Sequence, residues 1–217
     1  MNPTSQPPDG PTDRSPDAPA RPDDAAPPRD DARPPRDDEA SETAVGGLSY
    51  RGGRVRPVVR APAAVLSTPA EPVDPKEMAD LAADLVATMR VSPGCVGLAA
   101  VQIGVPAHVF VVDVTGHPKT RTCHGLIVLC NAVVVAASQW KVGREGCMSV
   151  PDLTGDVRRA GRLTVAGEVA GTGERVEITT DAFEARALQH EIDHCGGLLF
   201  LDRVAGAHAI HQRKVYL

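Results

Sequence analysis

Between Met1 and Val45 the chain has no Val, Ile, Leu, Phe, Tyr, Trp, Met or Cys. Those 45 residues hold 11 of the 20 prolines, and 5 Arg against 9 Asp and 2 Glu leave them at net −6. Of the chain's 23 basic and 28 acidic groups, 18 and 17 fall in residues 46–217, which are close to neutral. A segment with so little apolar surface cannot offset the entropy of ordering itself, so 1–45 is expected to be a disordered, acidic, Pro-rich tail. Two bland readings of it are favoured: an inert solubilising extension, or sequence upstream of the true start.

Other absences exclude whole classes. No run of 18 apolar residues occurs, which excludes a helical membrane span. The first residues have no apolar h-region and are too acidic for a transit peptide, so the expected location is cytoplasmic. The near-neutral remainder offers no electrostatic footprint for direct nucleic-acid binding. The cysteines (Cys95, Cys123, Cys130, Cys147 and Cys195) are odd in number. Without an export signal they read as reduced thiols, not a disulfide framework.

Residues 46–217 are of a length suited to one domain. After a weakly patterned stretch at 46–73, in which Val58, Val59, Val65 and Leu66 can pack, Asp74-Pro75-Lys76-Glu77 reads as a capped helix start. Met78, Leu81, Leu85, Val86 and Met89 then recur at helical spacing until Ser92-Pro93-Gly94. Strands are expected at 108–114, 126–135 and 139–142, and a hairpin at 163–179 around Ala170-Gly171-Thr172-Gly173. A second helix should run from Asp181, as its cap, to about Cys195, stopped by Gly196-Gly197. A short closing helix is expected after Arg203. The predicted class is α+β, with short antiparallel or mixed strands around a central metal-binding helix.

That helix carries His190-Glu191-Ile192-Asp193-His194. Histidines four apart share a face and can reach one ion, with Glu191 placed as general base. A catalytic metal site needs a third protein ligand and an open position. The metzincin continuation fails, because position 200 is Phe, and no Glu follows Glu191. A third ligand is therefore sought upstream, where Glu145-Gly146-Cys147-Met148-Ser149 is the best candidate. Taken alone, Cys147 reads as a small buried residue and Glu145 as a surface charge.

Together with Gly97-Leu98-Ala99-Ala100-Val101-Gln102, these two segments resemble, in order and spacing, the three signature motifs of the peptide deformylase family. The resemblance covers about 58–203 and marks 46–217 as a peptide deformylase-like catalytic domain. It implies removal of the N-terminal formyl group from formyl-methionyl nascent chains, with release of formate. Carried over by position, Cys147, His190 and His194 hold one divalent ion. Fe(II) is the family's usual metal, with Zn, Ni or Co as substitutes. A metal-bound water attacks the formyl carbon, and Glu191 is the general acid/base. Gln102 and the Met148 N–H donate to the developing oxyanion, and Gly97 contacts the bound formyl-methionine.

The implied partners are formyl-Met peptide N-termini near the ribosome, lying extended beside a strand edge near 142–150. The chain departs from the family pattern at Cys95, Val101, Met148 and Cys195. Cys95 either narrows the entrance or simply fits. Arg159 is expected to pair with Asp193, to orient the substrate backbone, or to be simply an exposed charge, and Trp140 is expected to lie in the core. Cys123 and Cys130 read as bland, and His117, His124, His208 and His211 show no ligand spacing. Two other functions compete: a different metal-dependent amide hydrolase, and a non-catalytic binding or redox-sensing paralogue.

Overall fold

The computed structural model describes residues 43–213. The 1–45 segment lies outside the described residues except for its last three. These three join the domain: Ala44 is buried and bridges to Leu126, whose carbonyl accepts from the Val45 N–H at 2.8 Å.

Strands β1 (Gly97–Ala99), β2 (Val109–Val112), β3 (Ile127–Ser138), β6 (Arg162–Val169) and β7 (Arg175–Asp181) form one antiparallel sheet in that order. Strands β4 (Lys141–Cys147), β5 (Val150–Arg159) and β8 (Ile210–Gln212) form a second. The first sheet lies between two helices, α1 (Ala79–Val91) and α2 (Ala182–Cys195). Val109, Val111, Val128 and Cys130 pack with Leu85, Val86 and Met89 of α1. Phe110, Val112, Ile127 and Leu129 pack with Ala185 and Leu188 of α2. Burial on both faces explains why β2 and the start of β3 read as unbroken apolar runs instead of alternating ones.

The two sheets are one continuous ribbon where they meet. β3 followed by β4 runs antiparallel to β5 followed by β6, from Leu129↔Val169 through Ser138↔Arg162 and Lys141↔Arg159 to Gly146↔Thr154. Bulges between Cys130 and Val133 and between Val134 and Ala136 twist the ribbon. At its bend Gln139 takes a φ of 57°. Trp140 sits there, not in the core. It is 50% exposed, with the Arg158 guanidinium 5.6 Å from its ring centre. Val133, Val134 and Val135 of β3 and Val142 of β4 are exposed as well.

Three local expectations change. The Asp74 signal caps only a 3-10 turn, Pro75–Glu77, in which the Asp74 carboxylate accepts from the Lys76 N–H; α1 begins at Ala79. Asp181 precedes α2, but its side chain makes no capping bond and accepts instead from the Thr122 N–H. The chain after Arg203 forms a 3-10 turn, Ala207–Ala209, and then β8 in place of a closing helix.

Candidate active site

α2 presents His190 and His194 on one face, one turn apart. β4 ends at Cys147, where the register with β5 shifts after Gly146. One ligand atom from each of Cys147, His190 and His194 lies within 4.8 Å of the other two, with Cys147 Sγ 3.3 Å from His194 Nε2. Donors on a tetrahedral ion at ordinary bond lengths stand about 3.5 Å apart. Buried Glu191 Oε2 nearby has no protein partner; His194 Nδ1 has none either, but it lies on the side of its ring away from Cys147. Buried polar atoms are almost always satisfied, so this cluster fits a divalent ion with an open position better than a dry core.

Of the two histidines, only His190 is held from behind by a side chain. His190 Nδ1 lies 3.0 Å from Glu145 Oε2, which leaves Nε2 for an ion. Arg159, itself buried, donates to both Glu145 oxygens at 3.0 Å and also pairs with Asp193. Asp193 in turn accepts from Arg203 at 2.6 and 3.0 Å. Burial pushes the Glu145 carboxyl up, but hydrogen bonds with His190 and Arg159 outweigh it and hold it at about 2. Burial likewise pushes His190 down, yet its hydrogen bonds with Cys147 and Glu145 leave it well above the usual imidazole range. His194 has no such support, so burial and the His190 charge hold it well below that range.

Gln102 lies in the 3-10 turn Ala100–Ile103, just after β1. Its Oε1 accepts from the Ala99 N–H at 2.9 Å, and its Nε2 donates to Cys147 Sγ at 3.3 Å and Ser149 Oγ at 3.2 Å. Glu191 is 3% exposed, and burial pushes its carboxyl up to about 7. Gly97 lies against it. The Asp113 N–H bonds Val96 O, so in the β1–β2 register the Val96 and Leu98 polar groups face β2, and those of Gly97 face outward. On that outward side the Cys95 thiol donates to Gly97 O at 3.0 Å. Met148 is half-buried in the turn from β4 to β5, and its side chain packs with the α1-side cluster.

The structure thus gathers Gly97, Gln102, Cys147, Met148, His190, Glu191 and His194 from three segments. Cys195 is buried in the core between α2 and the first sheet, and its thiol is pushed above its usual range by burial. Sequence reasoning missed Glu145 as a buried anchor, although it stands two residues before Cys147 on one strand and so shares its face. It also missed Arg186, which carried no local signal, and gave Ser149 no role although it closes the Glu145–Ser149 segment.

The family model for polypeptide deformylase matches residues 55–209. The chain belongs to the polypeptide deformylase family. The peptide deformylase of Halothermothrix orenii is 44% identical over 142 residues, covering 64% of this chain and 87% of its own. That of Aquifex aeolicus is 39% identical over 154 residues, covering 70% and 89%. Among solved structures, the actinonin-bound class I type b peptide deformylase of Acinetobacter baumannii has a TM-score of 0.62 at 32% identity, covering 70% of this chain and 99% of its own. The Thermotoga maritima peptide deformylase has a TM-score of 0.63 at 29% identity, with coverages of 70% and 99%. As a member of this metal-dependent family, the chain is a hydrolase acting on N-formyl-methionyl peptides. Among the described residues, no helix is long and apolar enough to cross a membrane.

Proposed function

We propose that this chain removes the formyl group from nascent formyl-methionyl proteins, at a metal held by Cys147, His190 and His194. The convergence of those three donors beside an unpartnered Glu191 oxygen carries the reading. A divalent ion supplies a Lewis acid for the formyl carbonyl and lowers the pKa of a water to about 7. The family resemblance makes Fe(II) the first metal to test, with Zn, Ni and Co next. The cytoplasm, beside the translating ribosome, is where such a substrate is met.

Glu191 moves the proton. A carboxyl near 7 accepts one from the attacking water and returns it to the leaving amine at neutral pH. Gln102 and the Met148 N–H steady the developing oxyanion, and Gln102 Nε2 frees the hydrogen it gives to Ser149 Oγ for that purpose. The outward N–H and C=O of Gly97 receive the extended peptide backbone, between β1 and the end of β4 near 142–150. The peptide N–H displaces the Cys95 thiol from Gly97 O.

The test is formate release from a formyl-Met tripeptide, using protein prepared anaerobically with Fe(II) and Glu191→Gln alongside. Turnover falling about 10²–10⁴-fold in the variant, with metal retained, is the expected result. Absence of turnover in wild-type protein carrying one metal per chain refutes the reading.

A further inference from the structure

Arg186 lies on α2, one turn before His190 and pointing at the same carboxylate. Its Nη1 reaches Glu145 Oε1 at 2.6 Å, while His190 Nδ1 takes Glu145 Oε2 at 3.0 Å. One turn of helix therefore grips both oxygens of one side chain on β4. The guanidinium also donates to backbone: Nη1 to Val157 O at 3.0 Å and Gly143 O at 3.4 Å, Nη2 to Lys141 O at 3.1 Å. Room for it exists because position 143 is glycine. A Cβ there would stand 2.8 Å from Nη2 and 3.0 Å from Cζ. The side chain is 15% exposed, and its hydrogen bonds go to Glu145 and to backbone, not to the three metal-ligand candidates.

We infer that Arg186 is a positioning residue for His190, acting through Glu145, and that Gly143 is the socket that admits it. The inference rests on the metal site proposed above. Arg159 also grips Glu145, but it ties the carboxylate to β5 and to Asp193. Arg186 ties it to the helical turn that ends in His190, fixing the carboxylate relative to the imidazole it orients. Outer partners of this kind set ligand orientation and basicity, and their loss typically costs about 10–100-fold in metal affinity.

Co(II) reports on this without turnover. Its thiolate charge-transfer and d–d bands read ligand geometry, and competition with a chelator reads affinity. Arg186→Gln is expected to weaken Co(II) by about 10–100-fold and to change the d–d envelope. Arg186→Lys should recover only part of the loss, because an ammonium lacks the planar fork. Gly143→Ala leaves every ligand and Glu145 in place but crowds the guanidinium, and it should weaken Co(II) in the same direction. It also keeps the inference testable if Arg186→Gln does not fold. Wild-type protein with a normal Co(II) spectrum, beside Arg186→Lys and Gly143→Ala with unchanged spectra and affinities within twofold, overturns the positioning role even if their metal-free thermal stability falls. Wild-type protein with no thiolate-to-Co(II) band overturns the metal site itself, and this inference with it.

Discussion

Gly97 and Glu191 fit together only because one of them has no side chain. A Cβ at position 97 would stand 2.5 Å from Glu191 Oε1 and 2.9 Å from its Cδ. Glu191 follows His190 on a rigid helix and is buried, so the carboxylate itself would have to move. Gly97→Ala is therefore expected to misplace the acid/base group by about 1 Å and to lower kcat about 10²-fold while metal content stays at wild-type level. Formate-release kinetics paired with metal analysis checks this.

Gln102→Glu keeps the oxygen that accepts from the Ala99 N–H and removes the N–H group facing Cys147. The expected outcome is a loss of about 10²–10³ in kcat with a smaller change in KM, as for removal of one oxyanion donor. Steady-state kinetics on a formyl-Met tripeptide decides it. An equal rise in KM alone would assign Gln102 to substrate binding.

Removing metal should destabilise the fold, because the proposed ligands come from β4 and α2, which are far apart in the chain. Free ion at about 1,000 times its Kd stabilises by about 4 kcal/mol. Thermal scans with and without chelator should show the shift, and Cys147→Ala should abolish it.

Asp84 gives the acid limb of stability away from the site. Burial pushes its carboxyl up, but the Arg54 N–H at 2.7 Å and the Arg56 guanidinium at 3.0 Å hold it below the ordinary range. With the folded value depressed, this contribution is present above the unfolded pKa of about 4 and is lost as pH falls through the folded value. Asp84→Asn should cost about 1–3 kcal/mol at pH 7 and flatten the stability profile below pH 4. Urea unfolding across pH measures both.

Much of the local structure is legible in the residues. Met78 to Met89 and the stretch ending at Cys195 have helical spacing, and both helices appear. The hairpin around Gly171 and Gly173 forms as the turn residues suggest. Less legible were features whose cause lies elsewhere in the chain. Trp140 reads as core but is exposed at the bend after Gln139, where Arg158 covers its ring. Glu145 reads as a surface charge but is buried, because Arg159, 14 residues on, and Arg186, 41 residues on, neutralise it. Asp181 reads as a cap, but its carboxylate is claimed by Thr122, 59 residues earlier.

The spacing of His190 and His194, the neighbouring Glu191 and the order of the three motifs are properties of the chain as written. They depend only on helix geometry and side-chain chemistry. Their meeting does not. Bringing residues 97–102, 145–149 and 190–194 to one place requires α2 to pack on the first sheet and the ribbon to carry β4 across to α2. Tertiary packing alone decides that arrangement, because strand register and the burial of charge are set by partners distant in sequence, and no local propensity encodes them.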